Sequence, residues 1–201
     1  MKVFALSLAL IASPTLAFAA SSVDAAGVLD ITFESSFVGS NAVVTCELGF
    51  IKVNSVDPDS GPASCAAIRA ITVVGSLGND RIELNSLTSL TMPALRSTSL
   101  NGDNGDDTIR GSFAADIIDG ESGNDLLEGY DGKDKILGDS GNDTIYGGNG
   151  NDTLKGESGN DRIFGQNGND KLYGNSGNDY LRGGKGDDSA DGGSGSNSVK
   201  K

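Results

Sequence analysis

At 201 residues the chain is long enough for one ordinary domain or one elongated repeat array. Its formal charge of -13 repels phosphate backbones and anionic lipid, which argues against nucleic acid and membrane partners and in favour of cations. With no His, it lacks the means for Ser-His-Asp or Cys-His catalysis and for any His-bound metal centre.

Lys2 opens a short basic region, VFALSLALIA is an apolar core, and Ala17-Phe18-Ala19 is a small-x-small pattern. Together they predict a secretory signal peptide over residues 1–19, cut before Ala20. The apolar stretch is short of the ~20 residues a membrane span needs. Removing it deletes one Lys and no acid, leaving a mature chain near -14 that resides outside the cell or in a periplasm.

Residues 20–101 read as a β-rich cap, an irregular start to the array that follows. Leu29 to Phe33, Ala42 to Cys46, Phe50 to Val53 and Ile68 to Val74 have β-type composition, with polar, Gly- and Pro-containing stretches between them. An oxidising compartment allows Cys46 and Cys65 to pair and close one loop; two free buried thiols are the alternative. GSLGNDRIE (75–83) places Asp80 and Ile82 two residues apart behind paired glycines. Gly75 precedes Gly102 by 27 residues, so the intervening LNSLTSLTMPALRSTSLN reads as undecorated coils in the same register. The position two units after Asp80 is then Thr98, which leaves Asp80 without a matching carboxylate.

From Gly102 every ninth residue is Gly, through Gly192. The sixth position of each unit is Asp107, Asp116, Asp125, Asp134, Asp143, Asp152, Asp161, Asp170, Asp179 and Asp188, ending in Asn197. The eighth position is aliphatic throughout, and the fourth is Gly everywhere except Ala114. A flexible linker has no reason to hold an aliphatic phase, collagen needs Gly at every third residue with abundant Pro, and an EF-hand needs flanking helices. Turn-then-strand fits instead. The glycines shape a tight turn, and a three-residue strand such as Thr144-Ile145-Tyr146 turns its central side chain inward. Two units then make an eighteen-residue coil, and stacked coils form two parallel sheets over a thin Ile/Leu core. The expected fold is all-β, a parallel β-roll.

GGNGNDTLK (147–155) and its neighbours resemble the nonapeptide of the RTX, or hemolysin-type calcium-binding, repeats over residues 102–199. The resemblance implies an ion between turns two units apart, held by Asp from both. One edge then pairs Asp107, Asp125, Asp143, Asp161 and Asp179 in succession, and the other pairs Asp116, Asp134, Asp152, Asp170 and Asp188. That implies about eight Ca2+ ions, with Asn197 as a weaker addition. Stacked at ~4.8 Å, bare carboxylates repel by about 1 kcal/mol in water and several-fold more in a protein, so a cation between rungs favours folding. Calcium suits a site of carboxylates and carbonyls, whereas zinc lacks its His and has only two distant Cys. Ala114 and Ala115 place the site of unit 111–119 in doubt. The array is expected to be disordered at low calcium and to fold at millimolar levels.

The function this implies is a secreted, non-enzymatic calcium-binding repeat protein with a structural, adhesive or surface role, whose further partners are carbohydrate or another extracellular surface. Two alternatives stand beside it. Ser122, Asn124, Ser140, Asn142, Ser158, Asn160, Ser176 and Asn178 form a regular polar ladder, similar to the Thr/Asn ladders of ice-binding RTX-type repeats. A polysaccharide-binding or -processing β-helix is the other.

Overall fold

Alternation of inward aliphatic and outward polar residues within each unit is what a strand with one covered face requires. A computed structural model of the chain describes residues 68–200 apart from 76 and 91, and the backbone of four strands between residues 20 and 53. The segment 1–19 and Cys65 lie outside the described residues, as does the side chain of Cys46, and with them the leader and disulfide expectations.

The strands in chain order begin with β1 (Ala20–Val23), β2 (Val28–Thr32), β3 (Asn41–Glu47), β4 (Phe50–Val53), β5 (Ala70–Val74), β6 (Arg81–Glu83) and β7 (Ser97–Asn101). The array then supplies β8 (Thr108–Arg110), β9 (Ala115–Asp119), β10 (Leu126–Asp131), β11 (Lys135–Ser140), β12 (Thr144–Asn149) and β13 (Thr153–Ser158). It ends with β14 (Arg162–Asn167), β15 (Lys171–Ser176), β16 (Tyr180–Lys185), β17 (Ser189–Asp191) and β18 (Ser198–Lys200). Among the described residues there is no α-helix.

From β4 onward successive strands go to opposite sheets. The first sheet has the order β1-β2-β5-β7-β9-β11-β13-β15-β17 and the second β18-β16-β14-β12-β10-β8-β6-β3-β4. Strands within the array pair in parallel eighteen residues apart, as Ile145 with Ile163 and Leu154 with Leu172. The molecule is a parallel β-solenoid of eighteen-residue turns. Only β1 with β2 and β3 with β4 pair antiparallel, at the N-terminal end, and both sheets continue from there into the array.

The strands of the central coils run to six residues rather than three. β12 buries Ile145 and then Gly147, because the first-position Gly turns inward and lets pairing continue to the third position of the next unit. The residue after it has left-handed backbone, as in Asp139 (φ 65°) and Gln166 (φ 78°). Within the array the core is two facing files, Ile109, Leu127, Ile145, Ile163 and Leu181 from one sheet and Ile118, Ile136, Leu154 and Leu172 from the other, all fully buried.

The stretch from Leu84 to Arg96 departs from expectation. It forms no regular coil; it is a run of turns (Leu87 N–H to Leu84 O, Leu95 N–H to Met92 O) that buries Leu84, Leu87, Met92 and Leu95. Apolar residues at irregular spacing and a Pro drive it into this excursion rather than into strands. Below it Arg81 pairs with Thr108, 27 residues on, so this coil carries nine residues more than the eighteen-residue coils of the array.

Candidate metal centre

Within the array the chain crosses between sheets twice per coil, and each crossing is made by Gly-x-x-Gly-x-Asp except at 111–116, where Ala114 replaces the second Gly, and at 192–197, which ends in Asn. The fourth-position Gly is required by close stacking. Gly141 has φ 143°, and a Cβ there would run into the carbonyl of Gly123 in the coil before. This turn points Asp inward at the end of the core. Asp107, Asp116, Asp125, Asp134, Asp143, Asp152, Asp161, Asp170 and Asp179 are no more than 2% exposed, whereas Asp188 in the last full coil is half-buried.

Each carboxylate has two different surroundings. Its Oδ1 accepts the backbone N–H of the Asp one coil earlier: Asp143 from Asp125 at 2.9 Å, Asp161 from Asp143 at 2.9 Å, and on the other edge Asp170 from Asp152 at 2.9 Å. Its Oδ2 is buried and has no donor in Asp107, Asp125, Asp134, Asp143, Asp152, Asp161, Asp170 and Asp179. The first-position Gly explains where that oxygen lies. A side chain at Gly165 would meet Asp170 Oδ2, and its Cβ would stand 2.8 Å from the carbonyl oxygen of Gly183. A bare carboxylate oxygen and a backbone carbonyl thus face one small space, repeated along both edges. Hard oxygens with no N–H or O–H between them suit a hard cation such as calcium.

Burial without a countercharge raises these acids. Desolvation pushes Asp107 and Asp125 up to about 7, Asp134 to about 8, and Asp143, Asp152 and Asp161 to about 6, with Asp170 moved the same way. The N–H from the preceding coil opposes the shift in each, and in most of them a stacked Asp adds to it.

Two positions differ from the register inferred from the repeat. Asp116 is closed by the protein itself: Thr98 Oγ1 donates to Oδ1 at 2.6 Å, Ser112 Oγ to Oδ1 at 3.0 Å, and Ser112 N–H to Oδ2 at 2.6 Å. Unit 111–119 lacks the left-handed residues at positions two and four, so its turn folds Ser112 back onto the carboxylate. The other difference corrects the reading of Asp80. Because the coil after it carries nine extra residues, its neighbour is Asp107 and not Thr98. Asp80 is 3% exposed and its N–H donates to Asp107 Oδ1 at 2.7 Å. Gly75 repeats the cradle, with Asp80 Oδ2 and the Gly102 carbonyl where its side chain would be. At the far end Asn197 Oδ1 takes the N–H of Asp179 at 2.8 Å, filling the hydrogen-bonding place of an Asp without its charge.

The polar ladder lies outside this site. Asn142 donates its N–H and Nδ2 to Asn124 Oδ1 at 2.9 and 3.0 Å, Asn160 does the same to Asn142, and Asn178 N–H meets Asn160 Oδ1. Ser140, Ser158 and Ser176 end their strands, and Ser122 stacks on Ser140. Sequence reasoning missed a further acidic group on the outer face of the first sheet. Asp119, Glu121 and Asp139 bring one carboxylate oxygen each within 4.8 Å of one another, and desolvation raises Asp119 to about 6. The signal was present in the run of position-two acids Asp103, Glu121, Asp139 and Glu157.

A comparison with curated proteins finds no match. A comparison with family models matches the RTX calcium-binding nonapeptide repeat over residues 97–127, 128–163 and 164–199, about half of the chain. With both edges carrying the buried Asp columns such repeats call for, the chain belongs to the RTX calcium-binding nonapeptide repeat family.

Proposed function

We propose that the protein is a secreted calcium-binding solenoid whose folding is coupled to the ion and whose role is structural or adhesive rather than catalytic. The observation that carries this reading is the stack of fully buried carboxylates with one oxygen each left bare. Buried and uncompensated, such charges oppose the fold; calcium supplies the positive charge that reverses the sign. The apolar core adds only two aliphatic side chains per coil, about 3–6 kcal/mol, which is small against the cost of ordering eighteen residues.

The candidate ligands on one edge are Asp80, Asp107, Asp125, Asp143, Asp161 and Asp179, which gives five interrung sites. On the other they are Asp134, Asp152, Asp170 and Asp188, which gives three. The total stays at about eight ions, with Asp80–Asp107 in place of Asp116–Asp134. The N-terminal small-x-small pattern supports export to a compartment where calcium is millimolar. Calorimetric titration with circular dichroism tests the reading: it predicts about eight ions and a gain of strand signal together. Strand signal and melting temperature unchanged by a chelator would overturn it.

An ice-binding role draws on the Ser/Asn ladder. The amide oxygens of Asn124, Asn142 and Asn160 are already taken by the next coil, which favours a structural reading of that edge. Thermal hysteresis with calcium present is expected to be absent.

A further inference from the structure

Calcium binding leaves the outer face of the second sheet without a use, and this face has its own chemistry. Tyr146 on β12 and Phe164 on β14 occupy the same register and stack with ring centroids 5.0 Å apart and planes at 11°. Tyr180 on β16 is a diagonal neighbour, 5.8 Å from Phe164 and tilted by 49°, since Arg182 takes the place in register with Phe164. Beside the file, Gly148 stands in register between Tyr130 and Gln166 and has no side chain to fill its place. The gap opens a hollow of about 410 Å³ lined by Leu126, Glu128, Tyr130, Tyr146 and Gln166, and a second of about 250 Å³ runs past Gly148 to Asn149 and Asn167.

The walls are held in place. Tyr130 Oη donates to Glu128 Oε2 at 3.0 Å and accepts from Asn85 Nδ2 at 3.2 Å, while Arg110 Nε anchors the same Glu128 oxygen at 2.9 Å. Charge on this face runs against that of the whole chain. Arg81 and Arg110 are matched by Glu83 and Glu128, but the exposed Arg162, two residues before Phe164 on β14, and Arg182, in register with Phe164 on β16, have no carboxylate partner among the described residues. Lys200 sits 5.4 Å over the Tyr180 ring. Aromatic faces at strand spacing, a notch rimmed by amide, phenol and carboxylate groups, and guanidinium groups with no carboxylate partner among the described residues suit one kind of ligand. A sugar ring offers C–H bonds to an aromatic face and hydroxyls to polar rims, and a uronic acid adds a carboxylate that guanidinium binds. Glu128 lines the notch with its charge already met by Arg110 and serves as an acceptor for a sugar hydroxyl.

We propose that this face binds an acidic polysaccharide, with one sugar ring seated in the Gly148 notch against Tyr146 and the carboxylates of flanking sugars reaching Arg162 and Arg182. The face exists only in the formed solenoid, so the proposal rests on the calcium-coupled folding above. The test is calorimetric titration of the full chain in calcium with a galacturonic acid hexamer, a neutral cellulose hexamer and a thymidylate oligonucleotide. Circular dichroism is recorded on each sample. Binding is expected for the acidic hexamer, at least tenfold weaker in Tyr146→Ala and in the Arg162→Ser/Arg182→Ser pair, and unchanged in Tyr173→Ala on the opposite sheet. A folded wild-type chain that gives no heat with the acidic hexamer overturns the proposal. So does equal affinity for the neutral hexamer, tighter binding of the oligonucleotide, or an equal loss in Tyr173→Ala. A chain found folded without calcium defeats the calcium reading alone, since sugar binding is still measured; a chain that calcium fails to fold defeats both.

Discussion

Replacing Asp143 with Asn separates the two roles of the buried carboxylate. The amide keeps the acceptor for Asp125 N–H, as Asn197 does for Asp179, but removes the charge. Burial holds Asp143 up at about 6, against an ordinary value of 3.8. Above both values, the charged form therefore disfavours the metal-free fold by about 3 kcal/mol. In chelator at pH 7.5, Asp143→Asn is expected to favour the folded chain by that order. In calcium the sign reverses, because Asp143 faces both Asp125 and Asp161 and its loss weakens two sites. Each site contributes about 2.7 kcal/mol at a hundredfold excess of calcium over its Kd. Far-UV circular dichroism with urea, in chelator and in calcium, reads both arms. A variant at least as stable as wild type in calcium would refute Asp143 as a ligand. A variant less stable in chelator would refute buried charge as the force that opposes the metal-free fold.

Further expectations follow from the same columns. Since Asp107, Asp125 and Asp134 have raised values in the folded chain, the metal-free fold is favoured on the acid side and loses that advantage progressively as pH rises from about 4 through the folded values of about 7 to 8. Strand signal in chelator should grow from pH 8 to pH 5, while the calcium midpoint moves to higher calcium as protons compete; circular dichroism at fixed calcium checks both. Asp80→Asn should remove one ion from the calorimetric stoichiometry and Asp116→Asn none, because Thr98 and Ser112 already close Asp116. Gly141→Ala should cost well over 1 kcal/mol in a urea melt with calcium, since a Cβ at φ 143° meets the Gly123 carbonyl.

The coil, the inward Ile/Leu file and the Asp columns were legible in the sequence because each repeats at a fixed phase. Hidden were the features that depend on how two coils meet. Ala114 and Ala115 marked unit 111–119 as a departure, but no periodicity shows that Ser112 folds back on Asp116. The neighbour of Asp80 was misplaced because counting nonapeptides presumes that every nine residues advance the chain by half a coil. Leu84, Leu87, Met92 and Leu95 break that presumption by burying themselves in a bulge. The aromatic file escaped notice because Tyr146, Phe164 and Tyr180 fall at positions the repeat leaves variable.

That bulge has a consequence of parity. Every nonapeptide added to or removed from this chain exchanges left for right: all later strands change sheet, and both Asp columns change edge. An odd insertion would carry Tyr146 and Phe164 to the other side of the molecule. Between Arg81 and Thr108 the chain holds one nonapeptide too many, yet the two residues pair on the same sheet, because the surplus is looped out at Leu84 to Arg96. The excursion works as a phase corrector, and its length is as binding a constraint on the downstream face as any residue within it.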